Sequence, residues 1–106
     1  MMVILKELIG LKNKIIKLRD NNYEIIRNDN ECFNQNEVND RVKETDYFDE
    51  FDYIMGDIAY EKVRLKGYYD SKNKKKNKIN DYSTIEDYIK NYCQQGSDIF
   101  ILKKIK

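Results

Sequence analysis

Residues 52–70 read DYIMGDIAYEKVRLKGYYD, and the reading of this stretch decides the fold. From Asp52 to Ile58 the residues Tyr53, Ile54, Met55 and Ile58 form a short apolar run of strand character. From Lys62 to Tyr69 the pattern alternates. Successive side chains of a strand point to opposite faces, so Val63, Leu65, Gly67 and Tyr69 share one side, and Lys62, Arg64, Lys66 and Tyr68 share the other. Two such runs so close together pair as a hairpin. The core of this chain is therefore a sheet.

Toward the N-terminus, Asn34–Glu44 predicts a helix, with Val38 and Val42 four residues apart and Phe33 before it. Tyr23–Asn28 predicts a strand that sets Tyr23 and Ile25 opposite Ile26. In residues 3–19, Ile4, Leu8, Leu11, Ile15 and Leu18 recur at spacings of four and three. That spacing predicts an amphipathic helix with Lys12, Lys14, Lys17 and Arg19 on its other side. It packs on its own domain or pairs weakly with a second copy.

Toward the C-terminus, Ser71–Asn80 is a loop rich in Lys and Asn. Ser83 and Glu86 have the spacing of a capping box, and Ile85, Tyr88, Ile89, Tyr92 and Cys93 follow on one helical face. Gly96 supplies the left-handed stop. Asp98–Ile105 reads as a strand that is apolar on both sides, Ile99 and Ile101 against Phe100 and Leu102. Ile85, Tyr88, Ile89, Phe100 and Leu102 are accordingly expected in the core.

The order strand, helix, strand, strand, helix, strand predicts an α+β domain. Its expected form has two layers, with both helices on one face of a four-stranded, ferredoxin-like sheet. Residues 1–21 would be an extra N-terminal helix and residues 22–106 the domain proper, which fits a chain of 106 residues.

The formal net charge is +1, so bulk charge recruits no partner. The charge is unevenly placed. Nine acids from Glu37 to Glu61 face only Arg41 and Lys43, and eight bases from Lys62 to Lys78 face only Asp70. Histidine is absent, and Cys32 and Cys93 stand alone, which argues against a zinc site or a disulfide framework. Met1–Leu11 is apolar but broken by Lys6 and Glu7, and has no basic leader. No run reaches the roughly 20 apolar residues of a membrane span. The expected location is the cytoplasm.

Two sets of residues are candidates for function. Lys62, Arg64, Lys66 and Tyr68 put cations and an aromatic ring on one strand face, a pattern that holds phosphates and stacks bases. Lys66, Gly67 and Tyr68 match the opening of an RNA-recognition motif, but Tyr69 and Asp70 then depart from it. Lys74, Lys75 and Lys76 in the following loop can add phosphate contacts. Both features also fit a plain solvated surface. The second set is Asp52, Asp57 and Arg64, a carboxylate site for a small ligand or an enzyme. A nuclease-type Asp followed by Glu-x-Lys fails, because Glu61 is followed directly by Lys62 and the two side chains diverge. No catalytic residue, metal ligand or cofactor emerges from the pattern.

Asp52–Asp57 followed by Val63–Asp70 resembles the signature of the YutD-like proteins, small cytosolic proteins of low-GC Gram-positive bacteria and their relatives. Ser83–Tyr88, Tyr92, Cys93, Gly96 and the closing strand fit the same family, so the resemblance covers residues 22–106. Ile58-Ala59-Tyr60 departs from it, where the family often has an aromatic-Gly pair. The resemblance implies an α/β domain and transfers no catalytic residue. The expectation is a non-catalytic binding module for a protein or nucleic-acid complex, with RNA or a protein as partner. The alternative is a small-ligand protein or enzyme using the carboxylates near Arg64.

Overall fold

In the computed structural model, which describes residues 14–93 and 96–105, seven regular elements follow one another. They are β1 (Ile15–Leu18), β2 (Asn21–Asn28), α1 (Gln35–Val42), β3 (Tyr53–Ala59), β4 (Lys62–Tyr68), α2 (Ile85–Tyr92) and β5 (Ile99–Ile105). The strands form one sheet in the order β1-β2-β5-β3-β4, with every neighbouring pair antiparallel. The expected four-stranded, ferredoxin-like arrangement is thereby overturned. The last strand inserts between β2 and β3, pairing Ile25 with Leu102 on one side and Ile54 with Leu102 on the other.

The two helices lie on opposite faces, which corrects the two-layer expectation. α1 buries Val38 and Val42 against Ile16, Leu18, Tyr23, Ile25, Ile54, Phe100 and Leu102. α2 buries Ile85 against Tyr53, Met55, Tyr68, Ile99 and Ile101. A central strand covered on both sides needs apolar residues at every position, as β5 has from Ile99 to Leu102. The Phe100 ring lies on Gly56, where an added Cβ would fall 2.0 Å from Phe100 Cζ. That close approach lets the ring fill the layer under α1.

Two local expectations also change. Of the helix expected over residues 3–19, residues 15–18 form β1, and residues 3–13 lie outside the described residues. Ile16 pairs with Tyr23 and Leu18 with Asn21; Ile16 and Leu18 are buried while Ile15 and Lys17 are exposed. The capping box is replaced by Asp81, whose Oδ1 accepts from Ser83 N at 3.0 Å and Ser71 Oγ at 2.6 Å. A 3₁₀ turn at Tyr82–Thr84 then leads into α2. Of the face expected in the core only Ile85 is buried within α2; Tyr88 and Ile89 are half-buried and Tyr92 is 71% exposed. Gly96 takes the expected left-handed conformation, with φ +82°.

Asp29 ties the end of β2 to the start of β5. It accepts two bonds from Arg27, at 3.1 and 3.0 Å, and one from Ile99 N at 3.1 Å. The Arg27 hydrogen bonds hold its carboxyl below the usual carboxylate range. A depressed carboxylate contributes stability above its unfolded pKa of about 3.9, and loses it as the pH falls through the folded value. Asp29→Asn is therefore expected to flatten the acid limb of a stability–pH curve below about pH 4. An unchanged acid limb in denaturant unfolding would contradict this account.

Candidate functional site

β4 does place Lys62, Arg64, Lys66 and Tyr68 on one face, but that face is the one α2 covers. Tyr68 is 0% exposed, and its ring packs edge-on against Tyr82 and Tyr88 at 6.5 Å. Its hydroxyl is buried without a hydrogen-bond partner, and burial raises its pKa. Stacking a nucleobase on this ring would require α2 to leave. Lys66 Nζ sits 4.0 Å from the centre of the Tyr68 ring and 5.0 Å from that of Tyr88, and donates to Ile79 O at 2.5 Å. Burial lowers the pKa of this ammonium. Lys66 thus serves as an internal clamp between β4 and the loop that follows.

Asp57 and Arg64 meet across the β3–β4 ladder as register partners. Arg64 Nε donates to Asp57 Oδ1 at 3.2 Å and Nη2 to Oδ2 at 2.6 Å, a bidentate pair in which Asp57 is 1% exposed and Arg64 half exposed. Cys93 lies beside this pair; burial first, and then the Asp57 charge, push its thiol up to about 11. At neutral pH it is a protonated, inert side chain. Asp52 is held elsewhere: its Oδ2 accepts from Asp70 N at 2.7 Å and Asn73 Nδ2 at 2.9 Å. The three residues proposed as a carboxylate site are therefore not one site. Among the described residues, no three His, Cys, Asp or Glu side chains group as metal ligands.

The lysine loop is held by its acids and amides. Asp70, Asn73, Asn77 and Asp81 each accept from the backbone N–H two residues on, at 2.8–3.0 Å, a series of Asx turns. Lys75 Nζ stands 3.6 Å from Glu50 and Lys76 Nζ 3.8 Å from Asp81, while Lys74 is exposed. Exposed pairs of this kind contribute little to stability.

The accessible chemistry gathers at the far end of β4. A groove of about 640 Å³ is lined by Arg41, Phe48, Ala59, Tyr60, Lys62, Val63, Arg64 and Leu65. Tyr60 and Glu61 form the two-residue turn of the β3–β4 hairpin, both with positive φ (53° and 65°). Such turns favour Asn-Gly, so two ordinary side chains here carry backbone strain. The turn leaves Tyr60 90% exposed beside the groove. Of these residues, reading the pattern found Lys62 and Arg64 and missed Arg41, Phe48 and Tyr60. The available signal was the departure at Ile58-Ala59-Tyr60, where a turn forms without glycine.

A five-stranded antiparallel sheet with one helix on each face defines a small α+β domain. A sequence profile of the family described as "Putative antitoxin YutD-like" matches residues 17–103. The chain is 34% identical over 92 residues to "Putative antitoxin YutD" of Bacillus subtilis (strain 168), a match covering 87% of this chain and 99% of the relative. The solution NMR structure of protein yutD from B. subtilis is similar with a TM-score of 0.71 at 33% identity, over 90% of this chain and 84% of that one. The chain belongs to the YutD-like family. No helix among its described residues is long and apolar enough to cross a membrane.

Proposed function

We propose that this protein is a non-catalytic binding module whose partner is a protein, engaged at the groove beside the β3–β4 turn. The observation that carries this reading is Tyr60, a fully presented aromatic on a strained turn, next to the cations Arg41 and Lys62. Tyrosine and arginine are the side chains that dominate protein–protein hot spots. The groove floor of Phe48, Ala59 and Val63 is apolar, which suits a protein surface better than a phosphate backbone. The relative's description, "Putative antitoxin YutD", agrees with a protein that acts by contact. RNA binding has less support, since Tyr68 is enclosed and Lys66 engaged. A small-ligand or enzymatic site at Asp57 has less support as well, since the guanidinium of Arg64 is already committed to that carboxylate.

In-cell photocrosslinking tests the reading. With p-benzoylphenylalanine in place of Tyr60, a discrete protein adduct is expected, and it should be lost when Arg41→Glu and Lys62→Glu are added. The same probe at Lys17, on the opposite edge of the sheet, should give no such adduct. RNA recovered from position 60, or the same protein recovered equally from position 17, would overturn the proposal.

A further inference from the structure

Three of the four arginines grip a carboxylate of their own chain. Arg19 stands 3.3 Å from Asp49, Arg27 3.0 Å from Asp29 and Arg64 2.6 Å from Asp57. The fourth, Arg41, has neither an ion pair nor a side-chain hydrogen bond among the described residues. Lys62 has none either. Both side chains are exposed, and both line the groove beside the β3–β4 turn, one from α1 and one from the hairpin. Two unpaired cations on one groove favour an anionic occupant.

The rest of the lining selects the anion. Phe48, Ala59 and Leu65 supply apolar surface, and the exposed Tyr60 adds an aromatic ring. Acids flank both cations along the chain without lining the groove: Glu37 lies about one helical turn before Arg41, and Glu61 directly precedes Lys62. A nucleic-acid backbone carries a charge at every step, so it would run from the cations onto these carboxylates. A peptide with a carboxylate next to an apolar side chain meets the cations and the apolar lining alone. Val63 is buried, so the contact is made by side chains and not by the strand edge. We propose that the groove binds an acidic, apolar segment of the partner protein, its carboxylate held by Arg41 and Lys62 and its apolar neighbour resting on Phe48 and Tyr60. This rests on the protein-partner reading above and names the chemistry of that contact. The free guanidinium of Arg41 can meet both oxygens of one carboxylate, which gives the contact direction as well as strength. The Lys62 ammonium adds a point charge from the hairpin side.

Titration of the isotope-labelled full chain with a capped peptide carrying Glu-Leu-Glu between glycines tests this, read by NMR shifts. The Arg41 Nε–H and the Tyr60 ring signals should move together. Arg41→Gln with Lys62→Gln, two exposed changes, should keep the remaining spectrum and weaken the peptide by about tenfold or more. Gln-Leu-Gln, which lacks the charge, and Glu-Ser-Glu, which lacks the apolar side chain, should each bind about tenfold more weakly. Absence of binding at millimolar peptide, or equal binding of either control peptide, would overturn the proposal. So would tighter binding of oligothymidylate at the same residues. A free chain that dimerises, and loses the dimer in the double variant, would give the groove to a second copy and overturn it as well. The crosslink from position 60 judges the protein-partner reading separately. A protein adduct whose crosslinked segment holds no Asp or Glu would overturn the acidic-segment proposal and leave that reading standing.

Discussion

Phe100→Ala is expected to lower the unfolding free energy by about 3–5 kcal/mol, a large share of the stability of a domain this size. Phe100 is fully buried in the middle of β5, meets Phe33 edge-on at 5.2 Å, and occupies the space that Gly56 leaves open. Gly56 has no side chain to fill the space and its strand is paired on both sides, so the layer can close only in part around the cavity. The converse change tests the same contact. Gly56→Ala should be destabilising alone, since its Cβ collides with the ring tip, and should be milder in combination with Phe100→Leu, which removes that tip. Denaturant unfolding of the four proteins reads the coupling. Additive costs, or a loss below about 1 kcal/mol for Phe100→Ala, would show that the ring does not fill this site.

Arg64→Ala should cost about 2–4 kcal/mol, less than a fully buried ion pair because the guanidinium is half exposed. The loss comes from Asp57, which stays enclosed with its bidentate partner gone. Asp57→Asn in the Arg64→Ala background should recover much of the stability by removing the stranded charge. A double variant as unstable as the sum of the single ones would rule this out. The result also separates roles: Arg64 holds the sheet, so binding at the groove is probed through Arg41 and Lys62.

The strands and their facing were legible because a strand repeats every two residues. Val63 and Leu65 lie inward and Lys62 and Arg64 outward as their spacing implies, and β5 is apolar at consecutive positions because it is central. Facing, however, is not exposure. The period assigned Tyr68 correctly to the face of Lys66 but could not reveal that α2 lies on it. The layer order failed for a related reason. An element order is compatible with several pairings, and β5 reaches β2 and β3 only through contacts distant in sequence. Its two apolar sides were the available clue that both faces are covered. The β1 segment fits two periods, because Ile15 and Leu18 continue the three- and four-residue spacing of Leu8 and Leu11, while Ile16 and Leu18 also satisfy a period of two. Pairing with β2, rather than local spacing, decides between them. In the groove, Arg41 comes from α1 and Tyr60 from a turn, and no local pattern links positions brought together by the fold.

The position of β5 has a consequence for how the chain is made. During synthesis the β1–β2 pair and the β3–β4 hairpin both leave the ribosome before the strand that joins them. Each is then a two-stranded ribbon, marginal by itself in water, with one edge left unpaired until β5 arrives. The sheet becomes a single cooperative unit only when Ile99–Leu102 arrives, so the two halves of the nascent protein cannot lock together one after the other. Closure is a late, non-local event of the kind that makes β-rich domains fold slowly. Until then the inner edges of β2 and β3 are open to wrong pairing.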